Sequence, residues 1–409
     1  TMKAIDCGTL VDGTGTDPIS DARILVEDGR VVEVGPAEAV PAPDDAERID
    51  HSGETVIPGL IDAHLHLKGT RSMDPFDWVR ESSELNTARA TADARTLLAS
   101  GFTAIRDVGS EAGIPVRDAI DDGTIPGPRV FTSGRSFSQT AGHGDAHYLP
   151  YEWATSRDGG GDGIVDGADE CRKGARKRIR EGADLIKIMT TGGVLSEKDA
   201  PDQSQFTDAE IRAFTEEAHR VGIPVASHAQ GTPGVVSALE NGVDTIEHGF
   251  YLDEEALDLF HEHDATFVPT LAIMHRIVEH GADHEMPEWG LRKAREAYEA
   301  HVDSVRRAHE ADVPIALGTD FIGPDLVPHG ENALEAELLV EEIGLSEMDA
   351  IKAGTSVAAR TVPDDDIGRV ETGAHADLLA RGADPLEDIS ALRDVEAVYK
   401  GGERSGLVG

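Results

Sequence analysis

The sequence predicts an α/β fold: a (β/α)8 TIM-like barrel over residues 58–361, joined to a small β-sandwich built from both chain termini, residues 1–57 and 362–409. Three observations lead there. Eight short apolar runs recur between residues 56 and 317, separated by long stretches of helical period, the rhythm of repeated β/α units. β-like texture with Asp-Gly and Gly-rich turns occupies both ends, and chain termini often lie close enough in space to share a domain. No glycine fingerprint follows the first apolar run, which disfavours a doubly wound dinucleotide-binding sheet.

Taken in order, terminal strands are expected over residues 2–5, 22–26, 30–34 and 47–50. Barrel strands are expected over 56–60, 103–108, 129–133, 185–189, 224–227, 245–247, 266–270 and 314–317. Thr207-Asp208-Ala209-Glu210 spells a capping box that opens a helix to about residue 221, and another helix runs from Ser346 to about residue 360. Residues 376–380 and 395–400 return to strand texture.

With 37 Lys+Arg against 78 Asp+Glu, the formal net charge is −41, which excludes a cationic nucleic-acid binder. The 39% apolar residues are spread evenly enough to build large cores despite that charge. The acids are dispersed, and the basic residues divide into 9 Lys and 28 Arg. Such a surface suits concentrated salt, where screening relieves self-repulsion, so a halophilic source is expected. Cys7 and Cys171 are too few and too far apart for a disulfide framework. No apolar run spans a membrane and no leader pattern opens the chain, so a soluble, cytoplasmic protein without a nucleic-acid or membrane partner is expected. A homo-oligomer is expected as well.

In a barrel of this kind, chemistry belongs at the C-terminal strand ends. Those ends supply His64 and His66 after strand one, Lys187 within strand four, His228 ending strand five, His248 ending strand six and Asp320 ending strand eight. In Asp62-Ala63-His64-Leu65-His66 the i, i+2 spacing on an extended chain turns both imidazoles to one face, where they can share a cation. His261 and His263 have the same spacing, but they follow a helical pattern that splays them apart, and they read as solvated. Asp320 could instead cap a helix.

Lys187 lies in Asp184-Leu185-Ile186-Lys187-Ile188-Met189, on a strand that a parallel barrel buries on both faces. Burial of an ammonium lowers its pKa, and a neutral amine can add CO2 to give an anionic carbamate able to bridge two metals. A lysine snorkelling to the rim, or paired with an acid, is the structural alternative.

At these positions the chain resembles the amidohydrolase superfamily, and within it the prolidase-like dipeptidases related to imidazolonepropionase. The likeness rests on Leu10 to Gly15, Ile57 to His66, Lys187 to Gly193, His228, Ile246-Glu247-His248-Gly249 and Gly318-Thr319-Asp320. The resemblance implies two divalent metal ions, usually zinc. One would take His64, His66 and Asp320, the other His228 and His248, with carboxylated Lys187 and a hydroxide bridging them. Imidazolonepropionase itself lacks the lysine bridge and uses one metal, so Lys187 argues for the two-metal branch. The resemblance also implies that His143, in the loop after strand three, contacts substrate. In the related dipeptidases the position two after the strand-five histidine is often a tyrosine that contacts the substrate carboxylate; Gln230 stands there in this chain. Arg71, His329 and Asn332 are further loop candidates for substrate contact.

The function expected is hydrolysis of an amide bond in a dipeptide or N-acyl amino acid, with Asp320 taking a proton from the attacking hydroxide and passing it to the leaving amine. Hydrolysis of a cyclic amide or lactone on the same scaffold is the enzymatic alternative, and a metal-free scaffold protein the non-enzymatic one.

Overall fold

The computed structural model describes residues 2–156, 161–194, 198–284 and 288–408. Part of the loop that carries His143, residues 138–163, therefore lies outside the described residues.

Alternation of apolar and polar side chains forms the first strands, β1 (Lys3–Leu10), β2 (Ile19–Glu27), β3 (Arg30–Pro36) and β4 (Glu47–Pro58). Asp28 and Gly29 both adopt positive φ, as the two-residue turn between β2 and β3 requires. Next come the barrel strands β5 (Leu60–Leu65), β6 (Phe102–Asp107), β7 (Arg129–Thr132), β8 (Ile186–Met189), β9 (Val225–Gly231), β10 (Thr245–Tyr251) and β11 (Thr266–Val268). The chain closes with β12 (Leu378–Arg381), β13 (Val395–Lys400) and β14 (Glu403–Arg404).

Strands from both chain ends share one seven-stranded sheet, ordered β14-β13-β12-β4-β1-β2-β3. In its hydrogen bonding the expected sandwich is thus a single sheet, whose edge strand β3 also bridges His375 through Arg30. Ile5 and Cys7 of β1 and Ile24 and Val26 of β2 pack in one cluster with Leu378, Ala380, Ala397 and Tyr399 from the other end. A Cβ on Gly402 would fall 2.6 Å from Val26 Cγ1.

The barrel consists of a parallel β5-β6-β7 sheet and a parallel β8-β9-β10-β11 sheet. A bridge between Phe137 and Ile188 joins them on one side. On the other, the expected eighth strand forms only single links: Ile315 bridges Phe267, the Ala63 N–H donates to the Leu317 carbonyl, and Phe321 bridges Leu65. Every residue of β5, β6 and β9 is buried, as two-sided coverage of a parallel sheet demands.

Several boundaries differ from expectation. The first barrel strand is β5 at Leu60–Leu65, not residues 56–60; the earlier part of that apolar run belongs to β4. The chain changes sheets at Gly59, where a Cβ would sit 1.9 Å from Thr103 Oγ1. β9 and β10 run past His228 and His248 by three residues each, so neither histidine ends its strand. The helix Asp208–Arg220 carries the expected reciprocal capping box. The helix expected from 346 to 360 is two, Glu347–Ala353 and Ser356–Ala359, separated at Gly354-Thr355. Among the described residues no helix is long and apolar enough to cross a membrane.

Candidate metal centre

β5 carries His64 at its penultimate position, and its backbone leads directly to His66; their rings lie 5.5 Å apart. Asp62, fully buried two residues earlier, fixes this end of the barrel. It accepts from the His64 N–H, the Thr319 N–H and hydroxyl, and Asn332 Nδ2. Burial pushes the Asp62 carboxyl up to about 6, against those hydrogen bonds. The Asp320 N–H donates to the His64 carbonyl at 2.7 Å. Asp320 itself sits at φ +58°, His248 at +77° and Thr270 at +59°. Positive φ is costly for such residues, and its recurrence around one site marks a geometry held by its surroundings.

Five imidazoles form a continuous row. His66 meets His64, His64 lies 4.9 Å from His248, His248 4.7 Å from His228, and His143 stacks on His228 at 4.1 Å. Their outer nitrogens are engaged. His64 Nδ1 donates to Glu247 at 2.6 Å, His66 Nδ1 to the Gly109 carbonyl at 3.1 Å, and His228 Nε2 to the Gly192 carbonyl at 3.3 Å. Thr270 Oγ1 lies 2.8 Å from His248 Nδ1. Because those carbonyls and the carboxylate only accept, His64, His66 and His228 each carry a proton on the outer nitrogen, and a ring in its neutral form keeps a lone pair on the opposite one. Burial holds His66, His228 and His248 below the ordinary imidazole range, so they are neutral, the form that binds metal.

This arrangement contains an electrostatic conflict. Asp320 Oδ1 lies 3.1 Å from His66 Nε2 and 3.4 Å from His64 Nε2, so a carboxylate oxygen faces two lone pairs when both rings are neutral. A cation among these three donors, whose atoms all lie within 4.8 Å of one another, removes the conflict. The donor set therefore fits a metal. Burial raises the Asp320 carboxyl, but hydrogen bonds and positive charge that His64 and His66 supply only when protonated hold it well below the usual carboxylate range, a pull that a cation would exert in their place.

Lys187, 2% exposed, sits in β8 and opens onto the same cleft. Burial pushes its amine down to about 8, partly offset by Glu247 and Asp320. Among the described residues its amine forms no hydrogen bond or ion pair.

Two residues outside the expected set organise this end of the barrel. Glu247 and Arg106 are both 0% exposed, with Arg106 Nη2 at 2.7 and 2.9 Å from the two carboxylate oxygens. Arg106 also donates to Thr245 Oγ1 and to the Ala63 carbonyl. Despite burial, Arg106 and His64 keep the Glu247 carboxyl far below its ordinary value. Asp199 is a third, 3.3 Å from His143 Nδ1.

The row lines a cleft of about 950 Å³ whose walls include Lys68, Trp78, Arg135, His143, Tyr148, Gln230, Phe250 and Met274. Gln230, in the cleft lining, accepts the Val194 N–H on Oε1 at 2.8 Å, and its NH2 group donates no hydrogen bond among the described residues. Arg71 and His329 are not brought to the lining. Arg71 is captured by both oxygens of Asp93, and His329 Nε2 lies 3.2 Å from the His66 carbonyl. Asn332 serves the Asp62 hub instead.

The amidohydrolase family model matches residues 55–404. The chain belongs to the amidohydrolase family. Among its relatives, the ochratoxinase of Aspergillus niger is 34% identical over 426 residues, spanning 98% of this chain and 86% of that protein. The crystal structure of that ochratoxinase matches with a TM-score of 0.89 over 99% of this chain and 95% of the other. A crystal structure of a Xaa-Pro dipeptidase with methionine bound in its active site matches at 33% identity and TM-score 0.87, covering 99% of this chain and 100% of that one. A prolidase complexed with N-methylphosphonate-L-proline matches at 32% identity and TM-score 0.89, covering 99% of each. This amidohydrolase is thus an enzyme that hydrolyses carbon–nitrogen bonds of amides, on a barrel with a small β domain. Its family generally uses divalent metal ions, and the His64, His66 and Asp320 group is a candidate site for one.

Proposed function

We propose that this amidohydrolase cleaves the amide bond of a dipeptide or an N-acyl amino acid at a site for two divalent ions, zinc being the first choice. The observation that carries the proposal is the row of imidazoles with inward lone pairs, flanked by Asp320 and Lys187 at one end of a single cleft. His64, His66 and Asp320 would hold one ion; Nδ1 of His228 and Nε2 of His248 would hold the other. By adding CO2 and losing a proton, the Lys187 amine would become an anionic carbamate suited to serve as a further metal ligand. Burial that favours a neutral amine, and the lack of a partner among the described residues, both support that assignment.

The ions, when bound, polarise the amide carbonyl and make water a nucleophile near neutral pH. The protein's own groups supply the rest. Asp320 turns Oδ1 to His64 and His66, which leaves Oδ2 to take a proton from the attacking water and deliver it to the departing nitrogen. His143, steadied by Asp199 and by its stack on His228, contacts the substrate across the cleft. The Gln230 NH2 group offers a donor to a substrate oxygen. Residues 58–361 form the catalytic unit, with 1–57 and 362–409 as the companion β unit.

The relatives support this substrate class. N-methylphosphonate-L-proline carries tetrahedral phosphorus on the proline nitrogen, the shape of an acyl-proline amide under attack, and a prolidase 32% identical to this chain is complexed with it. The test is a library of dipeptides and N-acyl amino acids assayed at high salt with added zinc, alongside metal analysis. Hydrolysis of a subset with about two tightly held ions per chain is expected. No hydrolysis of any member, or a protein without metal from zinc-sufficient medium, would sink the proposal.

A further inference from the structure

The cleft contains a cation that the proposed reaction does not use. Lys68 lies three residues beyond β5, lines the cleft and holds Nζ 4.0 Å from the centroid of the Trp78 ring. It forms no hydrogen bond or ion pair among the described residues. In a chain with 78 acidic residues, a partly buried lysine without an acidic partner is unexpected. The acids near enough to act on it, Asp320 and Asp107, are committed elsewhere. Asp320 faces His64 and His66; Asp107 accepts from the Leu67 N–H, Ser110 Oγ and Thr132 Oγ1.

The pair is also preorganised. Trp78 Nε1 donates to the Ser72 carbonyl at 2.8 Å, and the short helix Pro75–Arg80 that bears it is capped by Asp74. Arg71, gripped by Asp93, ties down the loop between them. Trp is the strongest cation–π partner, and the indole covers one side of the ammonium while its other N–H groups remain available to a ligand.

We propose that Lys68 and Trp78 form a carboxylate-recognition subsite on the His66 side of the row, opposite the end where Gln230 follows His228. This rests on the amide-hydrolase reading above and adds that productive substrates carry a negative charge at this end. The carboxylate has two sources: the α-carboxylate of the leaving amino acid, or an acidic group on the acyl half.

Four substrates separate them: a dipeptide, its C-terminal carboxamide, and the same pair with Gln replacing an N-terminal Glu. Loss of the carboxylate that Lys68 reads should lower wild-type kcat/KM about 10- to 100-fold, mainly through KM, the worth of a charge-assisted hydrogen bond. In K68M and K68Q that preference should disappear, and K68R should keep part of it. The substrate pair affected identifies the source. A wild type indifferent to both carboxylates, or a preference that survives K68M, overturns the subsite. Indole emission of the protein as purified, titrated with an N-acetyl amino acid and with glutarate, reads the subsite without turnover. A saturable change lost in W78F and K68M is expected. Its absence in the wild type refutes the subsite, whereas a saturable change with every amide left intact would sink only the substrate proposal.

Discussion

Glu247→Gln offers the most direct test of how the candidate metal end of the barrel is held. Glu247 receives Arg106 on both oxygens, His64 Nδ1 on Oε2 and Thr245 Oγ1 on Oε1. An amide of the same size keeps one acceptor oxygen and presents an NH2 group to donors that need a lone pair. Both ionic partners are 0% exposed, so water neither screens the lost attraction nor rehydrates the stranded guanidinium. Removing one member of such a buried pair costs about 3–5 kcal/mol, a large share of a typical stability of about 5–15 kcal/mol. His64 loses the acceptor that fixes its tautomer, which lowers metal affinity about 10- to 100-fold. Guanidinium unfolding at fixed metal and chelator competition read the two effects separately. The double variant Arg106→Met/Glu247→Met splits them further: stability should largely return because no charge is stranded, while metal affinity stays low. A Glu247→Gln protein with wild-type midpoint and metal retention would refute the reasoning, and a double variant as unstable as the single would refute its desolvation part.

Lys187→Ala should lose at least about 100-fold in activity and regain part of it with a short carboxylic acid such as propionate, which restores the missing oxygens; undiminished activity would end the carbamate. His219 Nε2 lies 2.8 Å from Asp244, whose hydrogen bond raises the imidazole pKa above its ordinary value. A raised folded-state pKa stabilises fully below about pH 6.5 and fades as pH rises through the raised value. His219→Gln should therefore cost up to about 1 kcal/mol near pH 5.5, the pair being roughly 40% exposed, and almost nothing near pH 9. An equal cost at both pH values contradicts that linkage. The −41 charge predicts a melting temperature that falls on dialysis from about 1 M to about 0.1 M salt, as the screening length grows from about 3 to about 10 Å; a constant melting temperature would dismiss adaptation to salt.

The residues that converge on the cleft were legible because each is a polar residue inside or just beyond an apolar run that a parallel barrel must bury. That signal survives errors of strand boundary: His64 is the same residue whether strand one is placed at 56–60 or at Leu60–Leu65. The boundary itself was not legible, since an apolar run does not say which of two adjoining sheets it joins. Only Gly59, pressed against Thr103, marks the change. Arg71 and His329 were misplaced for a related reason. Nearness to a ligand along the chain leaves side-chain direction open, and Asp93 and the His66 carbonyl settled it. Arg106 and Glu247 could have been found by the rule applied to Lys187, because each is a charged residue within a strand buried on both faces.

That rule, applied evenly, bears on the state of Lys187. The site end of the barrel collects four carboxylates, Asp62, Asp107, Glu247 and Asp320, against three basic residues, Arg106, Lys187 and, at the cleft wall, Lys68. Buried charge is tolerated when it is compensated, and counted as ionised this set falls short by one positive charge. Two divalent ions added to an ammonium at Lys187 would overshoot by three. Converting that ammonium to a carbamate removes one positive charge and adds one negative, which brings the excess down to one, and the hydroxide expected between the ions would cancel it. On electrostatic grounds metal loading and carbamate formation should therefore rise together. CO2 depletion should lower the affinity for the second ion, and metal removal should shift the intact mass by the loss of CO2. A mass that stays constant as metal is stripped and restored would show that Lys187 balances the site in some other form.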